Sequence, residues 1–100
     1  MQFIVIAYDS VAEGTSERRM AVREVHLKQA RELYDRGKWL YAAGILSEDG
    51  KAIGSMIICD FPTREQLQKE WLDNEPYIKA KVWEKITINR AQMAPFLKDN

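Results

Sequence analysis

His26 is the only histidine of the chain, and Arg19 and Arg23 precede it at spacings that stack all three on one side of a helix. An imidazole changes charge near neutral pH and can move protons. A guanidinium beside it can steady an oxygen that gains negative charge. The chemistry these types imply is general acid–base work on a small phenolic or acidic molecule. A second polar group stands in Asp73-Asn74-Glu75-Pro76-Tyr77. Pro76 confines Glu75 to an extended backbone, outside a regular helix, from where a carboxylate can be aimed at a site. If it meets His26, it holds one ring nitrogen and leaves the other free. The same residues also fit without chemistry. His26 would then be a satisfied core residue, the arginines would lie along apolar surface with their heads in water, and Glu75 would cap a turn above Tyr77.

The elements that must position these groups can be read from the hydrophobic pattern. Residues 2–8 are β-branched and aromatic and end at Asp9-Ser10, so they read as a strand. Residues 9–16 are small and polar, a loop, with Thr15 or Ser16 as the expected N-cap of the first helix. That helix is predicted over 16–36, closed by Gly37. On a wheel of about 100° per residue, Met20, Val22, Leu27, Ala30, Leu33 and Tyr34 share one arc with His26 near its edge. Glu17, Glu24, Lys28, Arg31, Glu32 and Asp35 lie opposite. An arginine directed at a core needs an anion, so this face meets either a negative group or a pocket that takes one.

Strands at 38–46 and 51–60 flank Asp49-Gly50, a hairpin signal. Thr63 with Gln66 three residues on is a capping-box pattern, opening a helix over 63–73. Pro76 marks a break that could start a short helical turn. A last strand is expected at 82–89, Pro95 ends any further regular element, and 91–100 read as a tail after a domain over 1–90. The order βαββαβ is the ferredoxin-like α+β arrangement, an antiparallel four-stranded sheet with helices on one face. Its other face is left open, and the apolar strand residues together with Trp39, Trp71 and Trp83 offer surface to bury, so a homodimer packed sheet on sheet is expected.

Composition bounds the alternatives. A chain of 100 residues with 46% apolar and 30% charged residues supports one ordinary core. Fifteen basic and fifteen acidic residues cancel and interleave, which argues against nucleic acid or an anionic membrane as partner. The lone cysteine, Cys59, sits in an apolar run; it excludes an internal disulfide and reads as a buried strand residue. One histidine cannot furnish a typical zinc site, and isolated Gly14 and Gly54 make no phosphate loop. No metal and no cofactor are expected. The apolar N-terminus lacks a basic leader, no run approaches the roughly 20 residues of a membrane span, and a cytoplasmic setting is expected.

Several segments, taken in order, resemble the YciI-like family. They are Arg18 to Leu27 on the first helix, Gly37-Lys38-Trp39-Leu40-Tyr41-Ala42-Ala43-Gly44 on the next strand, Gly54-Ser55, Glu75-Pro76-Tyr77 and Val82-Trp83-Glu84. The resemblance covers nearly the whole chain. It implies a ferredoxin-like fold of the dimeric α+β barrel type, with a histidine–acid dyad below a small pocket. The chemistry it implies is dehydrochlorination of a chlorinated hydroquinone without metal or organic cofactor. By motif position the histidine is His26. Glu75 stands where the family usually carries aspartate, and Asp73 is the alternative acid. Ser55 and Arg23 match positions that line the site, and Arg19 and Tyr77 complete the expected substrate-binding set. Two non-catalytic readings stand beside this one: a receptor for a small ligand or partner protein, and a structural dimer with a buried His–Glu pair.

Overall fold

The computed structural model describes residues 1–97; the last three residues of the expected tail lie outside the described residues. The elements run β1 (Gln2–Asp9), α1 (Thr15–Asp35), β2 (Trp39–Leu46), β3 (Ala52–Asp60), α2 (Arg64–Glu70), a 3-10 turn (Leu72–Asn74), α3 (Pro76–Lys79) and β4 (Trp83–Arg90). The four strands form one sheet in the order β2-β3-β1-β4, every neighbour antiparallel. This is the ferredoxin-like α+β fold that the βαββαβ order predicts.

Strict alternation in β1 sets the two layers. Phe3, Val5 and Ala7 are buried toward the helices with Ile57 and Cys59 of β3, while Ile4, Ile6 and Tyr8 face the open side with Met56 and Ile58. Gly54 is required by close approach, because a Cβ there would sit 2.5 Å from the Ala7 carbonyl oxygen. Cys59 is fully enclosed, and burial, aided by the negative charge of Asp60, pushes its thiol up to about 12.

Local signals place most boundaries. Gly37 follows α1 in the left-handed conformation at φ 76°, where glycine carries no Cβ penalty. Thr63 caps α2 by accepting the Gln66 backbone N–H at 3.0 Å. Four expectations are corrected. The N-cap of α1 is Gly14, not Thr15 or Ser16; Thr15 turns its hydroxyl back to the Ala12 carbonyl at 2.7 Å instead. The helix expected over 63–73 stops at Glu70 and tightens into the 3-10 turn, and Pro76 then holds Glu75 extended at φ −71° and ψ 120°. Pro95 opens a 3-10 turn (Pro95–Leu97) rather than ending regular structure, since the first position of a turn needs no donor. Trp39, Trp71 and Trp83 contribute nothing to the open sheet face: all three are buried on the helix side.

The apolar arc of α1 is wider than the stripe it buries. Val22, His26, Ala30 and Leu33 face the core, whereas Met20, Leu27 and Tyr34 are 69%, 46% and 52% exposed. His26 therefore lies in the middle of the buried stripe and not at its edge.

Candidate active site

The site forms where α1 crosses the Pro76 break. Arg18 ties the two together: its guanidinium donates to the carbonyls of Ala80 and Lys81 at 3.0 and 3.1 Å, just past α3. Pro76 occupies the first position of α3, so Glu75 becomes its N-cap and folds its side chain back over the helix start. Its Oε2 accepts the Tyr77 backbone N–H at 3.0 Å. The same oxygen lies 2.6 Å from His26 Nδ1, and Oε1 accepts the Trp71 indole N–H at 2.8 Å.

Glu75 thus both caps a turn and meets the histidine, which joins the bland and the chemical readings of its position. The pair is enclosed: His26 is 7% and Glu75 2% exposed. Trp71 and Tyr77 N–H can only donate, so each Glu75 oxygen accepts one of them, Oε1 from the indole and Oε2 from the backbone. The far nitrogen, Nε2, has no hydrogen-bond partner among the described residues. Nor is it among the fully enclosed polar atoms that lack one; those are the indole nitrogens of Trp39 and Trp83.

Aromatic rings fix the imidazole plane. Tyr77 stacks on it at 3.8 Å between centroids and 14° between planes, and Trp39 and Trp83 stand edge-on at 6.1 and 5.9 Å. Arg19 lies over Tyr77, its guanidinium carbon 4.6 Å from the ring centre. Burial raises the Tyr77 phenol above its ordinary value; the charges of Arg19 and Arg23 pull it down in part, and those of Glu75 and Asp9 push it up. The hydroxyl is a hydrogen-bonding group rather than a base.

The six residues expected at the site separate into groups. His26, Glu75 and Tyr77 converge. Asp73, the alternative acid, is exposed and accepts from Gln68 at 2.7 Å, away from His26. Arg19 is on the core-facing side as expected, but its anion is internal: it pairs with Asp9 at 2.9 Å, with little exposure on either side chain. Arg23 is exposed and makes no ion pair among the described residues, yet its charge reaches Tyr77. Ser55 is half-buried on the helix side of the sheet, opposite Ala7 and Gly44, outside the hydrogen-bonded cluster.

The cavity that the described residues form beside β2 does not have His26 in its wall. That cavity, of about 990 Å³, is walled by Tyr34, Leu40, Tyr41, Asp60 and Met93 and touches the aromatic cluster only through Trp39. Sequence reasoning missed Asp9 and Trp71. Asp9 offered only a turn signal; Trp71 stands four residues before Glu75, a spacing that would have linked them had the helix break been read as a turn. Among the described residues no group of three His, Cys, Asp or Glu side chains could hold a metal ion, and no helix is long and apolar enough to cross a membrane.

Comparison with known proteins agrees with this architecture. Residues 1–92 match the model of the YCII-related domain. Protein YciI of Escherichia coli O6:H1 is 32% identical over 94 residues, covering 88% of this chain and 93% of that protein. An uncharacterized protein of Haemophilus influenzae is 29% identical over the same length and coverage. Among solved structures, the 5-chloro-2-hydroxyhydroquinone dehydrochlorinase TftG of Burkholderia phenoliruptrix AC1100, in complex with 2,5-dihydroxybenzoquinone, superposes with a TM-score of 0.78. It is 18% identical, with 96% of this chain and 98% of that chain covered. An antibiotic biosynthesis monooxygenase superposes at 0.51, 14% identical, over 94% of this chain and 98% of that one.

Proposed function

The chain belongs to the YCII-related family, and on that footing we propose that it is an acid–base enzyme of the lyase type, acting through His26 and Glu75 on a small phenolic or acidic molecule. One observation carries the reading: the 2.6 Å contact between His26 Nδ1 and Glu75 Oε2, enclosed by aromatic rings. Nε2 of His26 takes a proton from a substrate hydroxyl, and Glu75 stabilises the imidazolium that results. The imidazolium returns that proton to the ring carbon that bears the leaving group, giving a dienone; a second hydroxyl then loses its proton to the imidazole, and its electron pair forms the quinone carbonyl and expels a leaving group such as chloride. In this reading Tyr77 and Arg23 steady the oxyanion, and Ser55 is a further hydrogen-bond donor for the substrate. The dehydrochlorinase TftG suggests chlorinated hydroxyhydroquinones as the first compounds to try, with chloride release as the signal. Turnover that disappears in His26→Asn supports the proposal; saturable binding without product favours a receptor instead.

The arginines have different tasks in this reading. Arg23→Gln should weaken binding of 2,5-dihydroxybenzoquinone about tenfold in calorimetry, one charge-assisted hydrogen bond, and leave the melting temperature nearly unchanged. Arg19→Gln should instead cost about 1–3 kcal/mol of stability, because Asp9 loses its partner while little exposed. Equal effects of the two substitutions on both measurements would contradict this division.

A homodimer belongs to the same proposal. The open sheet face carries Ile4, Ile6, Met56 and Ile58 together with Tyr8 and Tyr41, which are 44% and 49% exposed. A second copy packed sheet on sheet would cover it. Sedimentation should return twice the 11.6 kDa chain mass, and Ile6→Lys should return the single chain. A parent protein that sediments as a monomer at micromolar concentration rules the dimer out.

A further inference from the structure

We propose that Trp71 is the positioning residue of the site: its indole N–H anchors Glu75 Oε1, so that Oε2 alone faces His26 and the ring is held as its Nδ1–H tautomer with Nε2 bare. The proposal deepens the acid–base reading above and rests on it for its significance, though not for its test.

A carboxylate is free to turn about its last torsion, which is broad and roughly two-fold. Tyr77 N–H and His26 Nδ1 crowd onto Oε2, and among the described residues the only group on Oε1 is the Trp71 indole at 2.8 Å. With Glu75 2% and Trp71 1% exposed, water has no room to replace it. The indole is itself fixed. Trp39 and Trp83 pack edge-on against it at 5.0 and 6.4 Å, and the same two rings flank the imidazole. The backbone between donor and acceptor is a closed turn, with Asn74 N–H on the Trp71 carbonyl at 2.9 Å and Glu75 N–H on the Leu72 carbonyl at 3.2 Å. Of the three buried indoles, Trp39 and Trp83 leave their N–H unpartnered, whereas Trp71 commits its own to the carboxylate. The charged and titratable groups around the site are Asp9 from β1, Arg19 and Arg23 from α1, and Tyr77 from α3; none is altered by changing Trp71.

The test reads the tautomer directly. With one histidine in the chain, nitrogen-15 NMR of the imidazole is unambiguous, and its two nitrogen shifts report both charge and tautomer. The parent protein should show Nδ1–H. In Trp71→Phe the carboxylate is free to turn away from the ring, so the ratio of Nδ1–H to Nε2–H should fall about tenfold, the loss of the His26–Glu75 hydrogen bond to a charged group. In a Glu75→Leu background, which offers no acceptor to either ring, the same substitution should leave the ratio unmoved. A folded Trp71→Phe with the parent spectrum overturns the proposal, as does an equal change in both backgrounds. If Trp71→Phe does not fold, hydrogen exchange of the parent's indole protons decides. The Trp71 indole should be protected like a core amide, and exchange at the rate of a free indole refutes the anchor. These readouts need no substrate, so a chain that never turns over still tests them.

Discussion

Glu75→Ala should lower the melting temperature by about 15–30 °C. The substitution leaves Trp71 Nε1, the Tyr77 backbone N–H and His26 Nδ1 without an acceptor in a place that excludes water. Removing one partner of a buried pair costs about 3–5 kcal/mol, and a domain of this size loses about 4–8 °C per kcal/mol. That is a large share of the whole stability of a small domain. Glu75→Gln keeps the volume and one acceptor oxygen but turns an amide NH2 toward a donor, so it should cost less, about 1–3 kcal/mol. Circular dichroism melts of the three proteins measure the series. Glu75→Ala melting within a few degrees of the parent would mean that the three hydrogen bonds are not made together.

His26→Asn should reduce turnover by about a hundred- to ten-thousandfold, the range of a lost general base, with a melting temperature close to the parent's. Asparagine is chosen because its amide can still donate to Glu75 where Nδ1 does, while nothing stands at the position of Nε2. Alanine, by contrast, is not neutral to stability in this structure. It would open a cavity under Tyr77, which stacks on the ring at 3.8 Å, and leave a buried carboxylate short of a donor. Steady-state chloride release against the same substrate, with the melt as control, separates chemistry from folding. Turnover within a few-fold of the parent would remove His26 from the reaction.

Much of the scaffold was legible along the chain because its signals are local. Alternation in β1, the glycine after α1, the threonine cap of α2 and the proline at the first position of α3 each act within a few residues. The wheel places His26, Val22, Ala30 and Leu33 on the buried side of α1 because angular position is a property of the helix alone. It cannot say how wide the buried stripe is. That width depends on what packs against the helix, and so Met20, Leu27 and Tyr34 share the apolar arc yet stay outside the core.

By itself, then, the sequence determined the fold class, the inward histidine and the presence of an acidic group at the proline break. The tertiary structure alone decided between Glu75 and Asp73, separated by a turn that sends one side chain inward and the other to solvent. It also chose Asp9 as the partner of Arg19 and brought Trp71 onto the carboxylate. The reason is one of distance. Residues 26 and 75 lie 49 positions apart, and their contact is set by how α1 seats on the sheet and α3, which no local propensity encodes.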